Sequence, residues 1–245
     1  MNDQRRANYG YDAPYALLAF AGVALAASIV AVVTWWTSQP RLFRPALAYA
    51  LFFAANAASF WYTTRRGKFR AWSDILDGLA LHGDERVLDM GCGRGAVLTA
   101  VAKRLTSGRV TGVDLWRTID QSGNSREATL TNARIEGVAD HVELETGDMR
   151  RLPFADASFD VVVSSLAIHN IPAHQDRSAA VTEAMRVLTA GGRLAIADIR
   201  STALYARTLV SLGATDVARR RLGWRFWYGN PFAGTTLVTA RKPRR

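Results

Sequence analysis

A run of 24 residues without a charged side chain, Ala13 to Trp36, most constrains what this chain can fold into. At about 1.5 Å per residue, a helix of this length exceeds the roughly 30 Å hydrocarbon core of a bilayer. Tyr15 lies near one end and Trp35 and Trp36 at the other, where interfacial aromatic residues occur in membrane proteins. The run therefore predicts a spanning helix over residues 13–36.

A second uncharged stretch, ALAYALFFAANAASFWY, covers residues 46–62 and has Asn56 in its middle. Its 17 residues are at the low end for a span, so the alternative is a helix lying in the interface or packed on a soluble domain. Its many alanines would allow close packing on the first helix, with Asn56 hydrogen-bonded across. We therefore expect a hairpin of two membrane helices.

Basic residues flank this hairpin on both sides: Arg5, Arg6, Arg65, Arg66, Lys68 and Arg70. They favour a cytoplasmic location for both ends, although Arg41 and Arg44 in the connecting loop weaken the asymmetry. A cleaved signal peptide does not fit, because the first run is too long for a signal core and a second run follows. The sequence thus predicts an integral membrane protein, with an anchor over residues 1–64 and a cytoplasmic domain over 65–245.

The formal net charge is +10, and residues 63–245 retain +8, with 27 Lys and Arg against 19 Asp and Glu. Beside a bilayer, a basic surface favours contact with anionic lipid, and nucleic acid is the other anionic partner to consider. Cys92 is the single cysteine, so no disulfide forms within the chain, as is usual in a reducing compartment. No metal site is predicted.

From residue 84 onward, short apolar runs alternate with segments of helical period, which predicts a parallel sheet covered by helices on both faces. The last two strands, separated by turn residues, are expected to form an antiparallel pair at one edge. The predicted strands are 86–90, 109–114, 141–146, 159–165 and 193–199, and the edge pair lies within 214–224 and 235–243. The predicted helices are 71–81, 95–106, 124–137, 174–189 and 202–212.

The strand at 86–90 ends in a glycine-rich loop, Gly91-Cys92-Gly93-Arg94-Gly95, directly before a helix. Glycines permit a tight turn, and free amides at a helix start favour a polar or anionic group. The third glycine comes one residue too early for the dinucleotide fingerprint. The next strand ends at Asp114, where a carboxylate can bind both ribose hydroxyls, and the third is followed by Asp148. These strand ends outline a site for an adenosine that carries a second polar group.

Four segments in this order resemble the class I S-adenosylmethionine-dependent methyltransferases: VLDMGCGRG, GVDLW, TGDMRRLPFADASFDVVVSSLAIHNI and EAMRVLTAGGRLAIADI. The resemblance covers roughly residues 70–243. It implies a Rossmann-like, mostly parallel seven-stranded sheet with an antiparallel edge pair, preceded here by the two membrane helices. It also implies S-adenosyl-L-methionine as cofactor and S-adenosyl-L-homocysteine as product.

The same resemblance assigns roles to individual residues. Asp89 would lie near the methionine ammonium, directly or through water, and Asp114 would bind the ribose hydroxyls. Asp148 would accept a hydrogen bond from the adenine amino group. The remaining residues of the implied cofactor site border the methionine, the adenine and the transferred methyl: Gly91, Gly93, Gly95, Leu115, Met149, Ser164, Ser165 and Leu166.

The fourth strand ends in SSLAIHN, without the Asn-Pro-Pro-Tyr or Asp-Pro-Pro-Tyr that amino-methylating nucleic-acid enzymes of this family carry. With Cys92 committed to the cofactor loop, no cysteine is available as a nucleophile towards a pyrimidine, so nucleic acid is an unlikely partner. His169, just past this strand, is the candidate general base, and packing is its alternative role. Asp120 is a second catalytic candidate in the loop 116–129, in which Gln121 and Asn124 are also placed to cover the site; a solvated loop is the alternative.

The segment GWRFWYGNPF concentrates five aromatic residues: Trp224, Phe226, Trp227, Tyr228 and Phe232. They would line an apolar acceptor pocket, dock on lipid, or form the core of the edge hairpin. The leading hypothesis is methyl transfer to a small lipophilic acceptor from the membrane, with the accepting atom (O, N, S or C) open. The alternatives are an RNA methyltransferase and a non-catalytic membrane protein that binds S-adenosylmethionine. The sequence does not predict the oligomeric state.

Overall fold

Two long helices precede an α/β domain in the computed structural model, which describes residues 7–119 and 121–244. Helix α1 is Pro14–Trp36 and α2 is Pro40–Tyr62. Trp35 packs on Phe43 next to the connection, and Phe20 packs on Phe60 at the far end, so the helices run antiparallel. The predicted helical hairpin is therefore present, and most of its apolar side chains are exposed.

The second helix differs from its prediction at its start. It begins at Pro40 rather than Ala46, because proline is well suited to the first turn of a helix, where its missing N–H is not needed. Arg41 and Arg44 therefore belong to α2 and not to a loop. Among the described helices, α1 is the one long and apolar enough to span a membrane. The prediction of two spanning helices is thus supported for one helix and not for the second.

Asn56 also differs from its prediction. Its amide donates to the Phe52 carbonyl of its own helix, and its Oδ1 accepts from Asn230 at 2.9 Å. The expected bond across to α1 is not formed, because the segment between the last two strands approaches α2 at this point. Asn56 joins α2 to the α/β domain instead.

No linker separates α2 from the domain. A π-helical turn, Thr63–Gly67, continues α2 directly into α3, Lys68–Leu79. Such turns occur as insertions within helices and are frequent at functional sites. The predicted boundary at residue 64 lies inside this continuous helical segment, and α3 begins three residues before the helix predicted from residue 71.

The sheet contains seven strands in the order β3-β2-β1-β4-β5-β7-β6. The first five are parallel, and β7 is antiparallel to both β5 and β6. This confirms the predicted fold class and the antiparallel edge pair. The strands are β1 Arg86–Met90, β2 Arg109–Asp114, β3 Val142–Thr146, β4 Phe159–Ser165, β5 Leu188–Asp198, β6 Thr215–Arg221 and β7 Thr236–Arg241. The remaining helices are α4 Ala96–Ala102, α5 Arg126–Ile135, α6 His174–Val187 and α7 Thr202–Ser211.

Buried apolar clusters cover both faces of the sheet. Part of one cluster comes from the N-terminal helices, since Phe60 is buried in it and Ala16, Leu17 and Phe20 pack against it. The order of the strands reverses between β1 and β4, which creates the crevice at the carboxyl ends of the strands where open α/β sheets bind ligands. The N-terminal helices therefore pack on the domain at the edge where a site is expected.

Candidate functional site

A cavity of about 710 Å³ opens at the carboxyl ends of β1, β2 and β4. This volume is within the range of ligand pockets, roughly 300–1,000 Å³. One part of its wall is the glycine-rich loop, and another part comes from α1, α2 and α3. The predicted site residues that line it are Asp89, Gly91, Gly93, Asp114, Leu115, Gln121, Asn124, Asp148, Met149, Ser165, Leu166 and His169.

Neighbouring side chains lie so close to the glycine-rich loop that its glycines have no room for a Cβ. Gly91 has a positive φ of 72°, and a Cβ there would overlap the Cβ of Ala167. Gly93 has a φ of 51°, and a Cβ there would lie 2.5 Å from Gln121 Oε1. Gly95 does not line the cavity; it begins α4 and approaches Thr129. The first two glycines therefore shape the cavity wall, and the third serves the helix start.

Asp89 is the most unusual group in the cavity wall. Asp89 is 1% exposed, and neither of its carboxylate oxygens has a hydrogen-bond partner among the described residues. Burial, with a further contribution from the charge of Asp114, raises the pKa of Asp89 to about 8. Buried charges are normally paired, so this carboxylate is well suited to a cationic ligand group.

Asp114 at the end of β2 holds the loop as well as facing the cavity. Its Oδ2 accepts from the Gly93 amide at 2.8 Å, and its Oδ1 accepts from the Trp116 amide at 2.6 Å. The Asn124 amide donates to the same Oδ1 at 3.2 Å. Oδ1 thus already has two donors, whereas Oδ2 can accept one further bond from a ligand hydroxyl.

Asp148 is already paired. Arg150 lies 2.6 Å from its Oδ2 and also contacts Asp176, and the hydrogen bonds from Arg150 lower the pKa of Asp148. Its role as acceptor from an adenine amino group stays a prediction. Leu115 and Met149 line the same region and offer apolar surface to a flat ring.

The two serines at the end of β4, both predicted to border the transferred methyl, make different contacts. Ser165 lines the cavity and accepts from the Trp72 indole at 2.8 Å. Ser164 is buried and donates to the Met90 carbonyl at 2.8 Å, so it fixes β4 against β1. Leu166 follows in the left-handed region at φ 55°, a conformation that non-glycine residues adopt rarely and often near sites.

His169 contacts a carboxylate that the sequence reasoning missed. Its Nδ1 lies 2.6 Å from Asp198 Oδ1, although the angle at the ring is not that of a well-formed hydrogen bond. Asp198 is fully buried and accepts from the amides of His169 and Ile199 and from the Tyr205 hydroxyl. Asp198 ends β5, and the rule that singled out Asp114 at the end of β2 could have found it.

Residues 7–13, called here the strap, cross the cleft before α1 begins. Asn8 exchanges two bonds with Asn132, at 2.9 and 3.0 Å, and its carbonyl accepts from Arg94 of the glycine-rich loop. The Tyr11 amide donates to Ser122 Oγ at 3.0 Å. No local pattern in the sequence signals this docking, because these partners of Asn8 and Tyr11 are more than 80 positions away.

The loop after β2 covers the cavity together with the strap. Gln121 Oε1 accepts from the Arg94 amide at 2.9 Å, and its Nε2 donates to the Tyr9 carbonyl at 3.0 Å. Asn124 lines the cavity, as expected for a residue that covers the site. Asp120 lies outside the described residues. Gln121 and Asn124 thus lie at the cavity wall, and their covering role stays a prediction.

The aromatic segment between β6 and β7 divides among the predicted alternatives. Phe226 is fully buried in the core, and Tyr228 lines the cavity. Phe232 is 99% exposed, and Trp224 is exposed as well. The aromatic residues of this segment are therefore divided among the core, the cavity wall and the exposed surface.

Comparisons with known proteins agree with this geometry. The family model described as Methyltransferase domain matches residues 88–196, which hold the glycine-rich loop, Asp114, Asp148, Ser165 and His169. Over these residues the chain is similar to S-adenosylmethionine-dependent methyltransferases, as the sequence motifs predicted.

Curated relatives match over about half of the chain. The ubiquinone/menaquinone biosynthesis C-methyltransferase UbiE of Roseobacter denitrificans is 35% identical over 133 residues, which cover 54% of this chain and 50% of UbiE. The 27-O-demethylrifamycin SV methyltransferase of Amycolatopsis mediterranei is 38% identical over 129 residues, 51% of this chain and 43% of that protein. This chain thus spans about half the length of the relatives it matches.

Solved structures share the fold. Geranyl diphosphate C-methyltransferase from Streptomyces coelicolor has a TM-score of 0.56 at 18% identity, covering 71% of this chain and 77% of that one. The [4+2]-cyclase SpnF has a TM-score of 0.57 at 20% identity, covering 71% and 81%. At these identities the likeness concerns the fold alone.

The cofactor of this family is S-adenosylmethionine, and the cavity residues fit it. The unpaired, buried carboxylate of Asp89 suits an ammonium group, and Oδ2 of Asp114 can accept from a ribose hydroxyl. Gly91 and Gly93, both at positive φ, bring the loop backbone against Ala167 and Gln121, where a Cβ would overlap. The chain therefore has acceptors for the ammonium and for a ribose hydroxyl of S-adenosylmethionine.

Proposed function

We propose that this protein transfers a methyl group from S-adenosylmethionine to a small lipophilic acceptor that reaches it from a membrane. One observation carries the proposal: a single cavity begins at the glycine-rich loop and extends to the N-terminal helices. Ala16 and Phe20 of α1 and Phe60 of α2 line it together with Gly91 and Asp114. An acceptor dissolved in the bilayer would therefore meet the cofactor within one cavity.

The relatives support a small acceptor. UbiE acts in ubiquinone and menaquinone biosynthesis, and another relative is named for 27-O-demethylrifamycin SV. These acceptors have large apolar parts, which suits a cavity wall built from Phe20, Phe60 and Trp72.

The surface of α1 supports membrane insertion. Leu25, Ile29 and Val33 are among its many exposed apolar side chains, and Trp35 and Trp36 are exposed at its end. Apolar area of this extent is unfavourable in water and favourable in lipid. We place the domain on the cytoplasmic side, where basic flanks concentrate and anionic lipid attracts them.

The residues of the cavity have distinct tasks in the reaction. Bound S-adenosylmethionine supplies an electrophilic methyl group. Asp89 holds its ammonium, Asp114 holds its ribose, and the strap and Gln121 exclude water from the glycine-rich loop. His169 removes a proton from the acceptor when the accepting atom carries one, and Asp198 stabilises the resulting imidazolium by its charge.

The decisive experiment uses the full chain in lipid nanodiscs with methyl-labelled S-adenosylmethionine and a membrane extract. We expect label in an organic-soluble small molecule, which mass spectrometry identifies, and no label with Asp89→Asn. Label in RNA would instead favour an RNA methyltransferase. Tight S-adenosylhomocysteine binding with no labelled product in any fraction would favour a non-catalytic binding protein.

A further inference from the structure

We infer that Asp12, Lys68 and Tyr228 form the subsite that binds an oxygen atom of the methyl acceptor, which is therefore a lipophilic molecule with a hydroxyl or oxo group. The inference rests on the proposed function and names its substrate class. The three residues come from the strap, the start of α3 and the segment between β6 and β7, and all three line the cavity.

The cluster is compact and buried. Lys68 Nζ donates to both carboxylate oxygens of Asp12, at 2.7 and 2.9 Å, and the Tyr228 hydroxyl donates to Oδ2 at 2.8 Å. Lys68 is 5% exposed and Tyr228 is 8% exposed. Burial, with the neighbouring charge of Asp12, raises the pKa of Tyr228 well above its usual value, so its hydroxyl stays a donor.

Stability does not explain this cluster well. A buried ion pair can often be replaced by apolar residues without loss of stability, because the desolvation of two charges offsets their attraction. An ammonium has three N–H donors, and the bonds to Asp12 occupy two of them. Among the described residues, nothing accepts from the third. Lys68 therefore retains one donor at the cavity wall.

The charge of the cluster selects the kind of ligand. Asp12 already neutralises Lys68, so the pair has no net charge with which to attract an anion. A neutral oxygen, such as a hydroxyl or a carbonyl, accepts the remaining N–H without bringing a further buried charge. The carboxylate of the cofactor is the competing partner, and it is less favoured because its charge would face Asp12.

The surroundings select a lipophilic molecule. The Phe60 ring lies 5.1 Å from that of Tyr228 and 6.3 Å from that of Phe20, which places the cluster beside the N-terminal helices. Lys68 Nζ also lies 5.4 Å from the centre of the Phe69 ring. A polar head bound at Lys68 would therefore leave an apolar tail among aromatic rings.

The cluster is also close to the cofactor loop. Gln121 Nε2 lies 3.3 Å from Asp12 Oδ1, and the same side chain accepts from the Arg94 amide. The Gln121 side chain thus lies between the acceptor subsite and the glycine-rich loop. This short separation suits direct methyl transfer from bound cofactor to bound acceptor.

The test measures binding in the full chain in nanodiscs, without cofactor. A photoreactive 4-alkylphenol with a diazirine on its tail labels the protein, and 4-nonylphenol or nonylbenzene competes. We expect the phenol to compete about tenfold better than nonylbenzene, as one charge-assisted hydrogen bond implies. In Lys68→Met this preference falls below about threefold, while it persists in Lys103→Met, which loses an ion pair outside the cavity.

Three results would overturn the inference. One is an unchanged preference for phenol in Lys68→Met. Another is labelling of wild type on the exposed face of α1 instead of the peptides around Phe60, Lys68 and Tyr228; this readout needs no variant and decides the matter if Lys68→Met does not fold. The third is a loss of S-adenosylhomocysteine affinity in Lys68→Met with the phenol preference kept, which would assign Lys68 to the cofactor.

Failure of this inference is distinguishable from failure of the proposed function. A protein that methylates a membrane acceptor but shows no phenol preference contradicts the subsite alone. A protein that binds the phenol through Lys68 but transfers no methyl group contradicts the proposed function and leaves the subsite in place.

Discussion

At the scale of a single residue, ligand binding is coupled to the protonation state of Asp89. With a pKa of about 8, roughly nine-tenths of this carboxyl is protonated at pH 7 in the free protein. An ammonium placed beside it favours the ionised form, so binding S-adenosylhomocysteine at pH 7 releases close to one proton. Calorimetric titration in buffers with different ionisation enthalpies measures this release, which Asp89→Asn abolishes. Buffer-independent heats in the wild type would show that Asp89 does not meet the ammonium.

Asp114 gives a second prediction at this scale. Asp114→Ala removes hydrogen bonds to the ribose and also those that hold Gly93 and Trp116, so S-adenosylhomocysteine affinity falls at least about tenfold. Asp114→Asn keeps the size of the side chain and loses the charge, so its affinity lies between those of Asp114→Ala and wild type. Calorimetry measures all three proteins. Equal affinity in Asp114→Ala and wild type would place the ribose elsewhere.

His169 and Asp198 act together if His169 is the base. His169→Gln and Asp198→Asn each lower turnover on the identified acceptor by about 100-fold or more, the usual contribution of general-base catalysis. Both variants keep S-adenosylhomocysteine affinity within about threefold of wild type, since neither residue is assigned to the cofactor. Unchanged turnover in His169→Gln would leave His169 a packing role.

At the scale of an element, the prediction concerns how the strap affects ligand dissociation. Gly10 has a φ of 67°, and a Cβ there would lie 2.7 Å from the Ser122 carbonyl oxygen. Gly10→Ala therefore loosens the strap and speeds S-adenosylhomocysteine dissociation about threefold or more, because a covering segment limits release. Gly22→Ala on α1, where a Cβ meets nothing within 4 Å, is the matched control. Stopped-flow measurement separates the two variants, and equal dissociation rates would show that the strap does not cover the cofactor.

The sequence predicted the elements whose residues follow a local period. Strands β1, β2 and β4 match their predicted bounds, because buried parallel strands are short apolar runs. Strand β5 begins at Leu188 rather than 193, since its first residues, Thr189 to Gly192, are polar or small and lack that pattern. Helix α2 was predicted late although Pro40 is a helix-start signal, because Arg41 and Arg44 were read as loop residues.

Of the candidate site, the sequence predicted the groups that follow strand ends and missed those joined by tertiary contacts. Asp89, Asp114 and His169 fall under a rule about strand termini, and all three line the cavity. Lys68 was counted as part of a basic flank, yet it is buried against Asp12, 56 positions away. Such pairs depend on how distant elements dock, which no local pattern encodes.

At the scale of the whole molecule, the N-terminal helices and the α/β domain share one structure. The N-terminal helices contribute to the core, continue into α3 without a linker and line the cavity. Removing them would also remove part of the wall of the site, so truncation cannot isolate the effect of membrane attachment. A side chain that fills the cavity between the bilayer and the cofactor loop tests the connection in the intact chain.

Ala16 on α1 lines the cavity, and Ala26 on the same helix is exposed. We expect Ala16→Trp to lower methyl transfer to the membrane acceptor in nanodiscs at least about tenfold, because the indole occupies the path from the bilayer. Ala26→Trp transfers at the wild-type rate, and both variants bind S-adenosylhomocysteine within about threefold of wild type. Wild-type transfer by Ala16→Trp would contradict the account, because the acceptor would then reach the cofactor by another path.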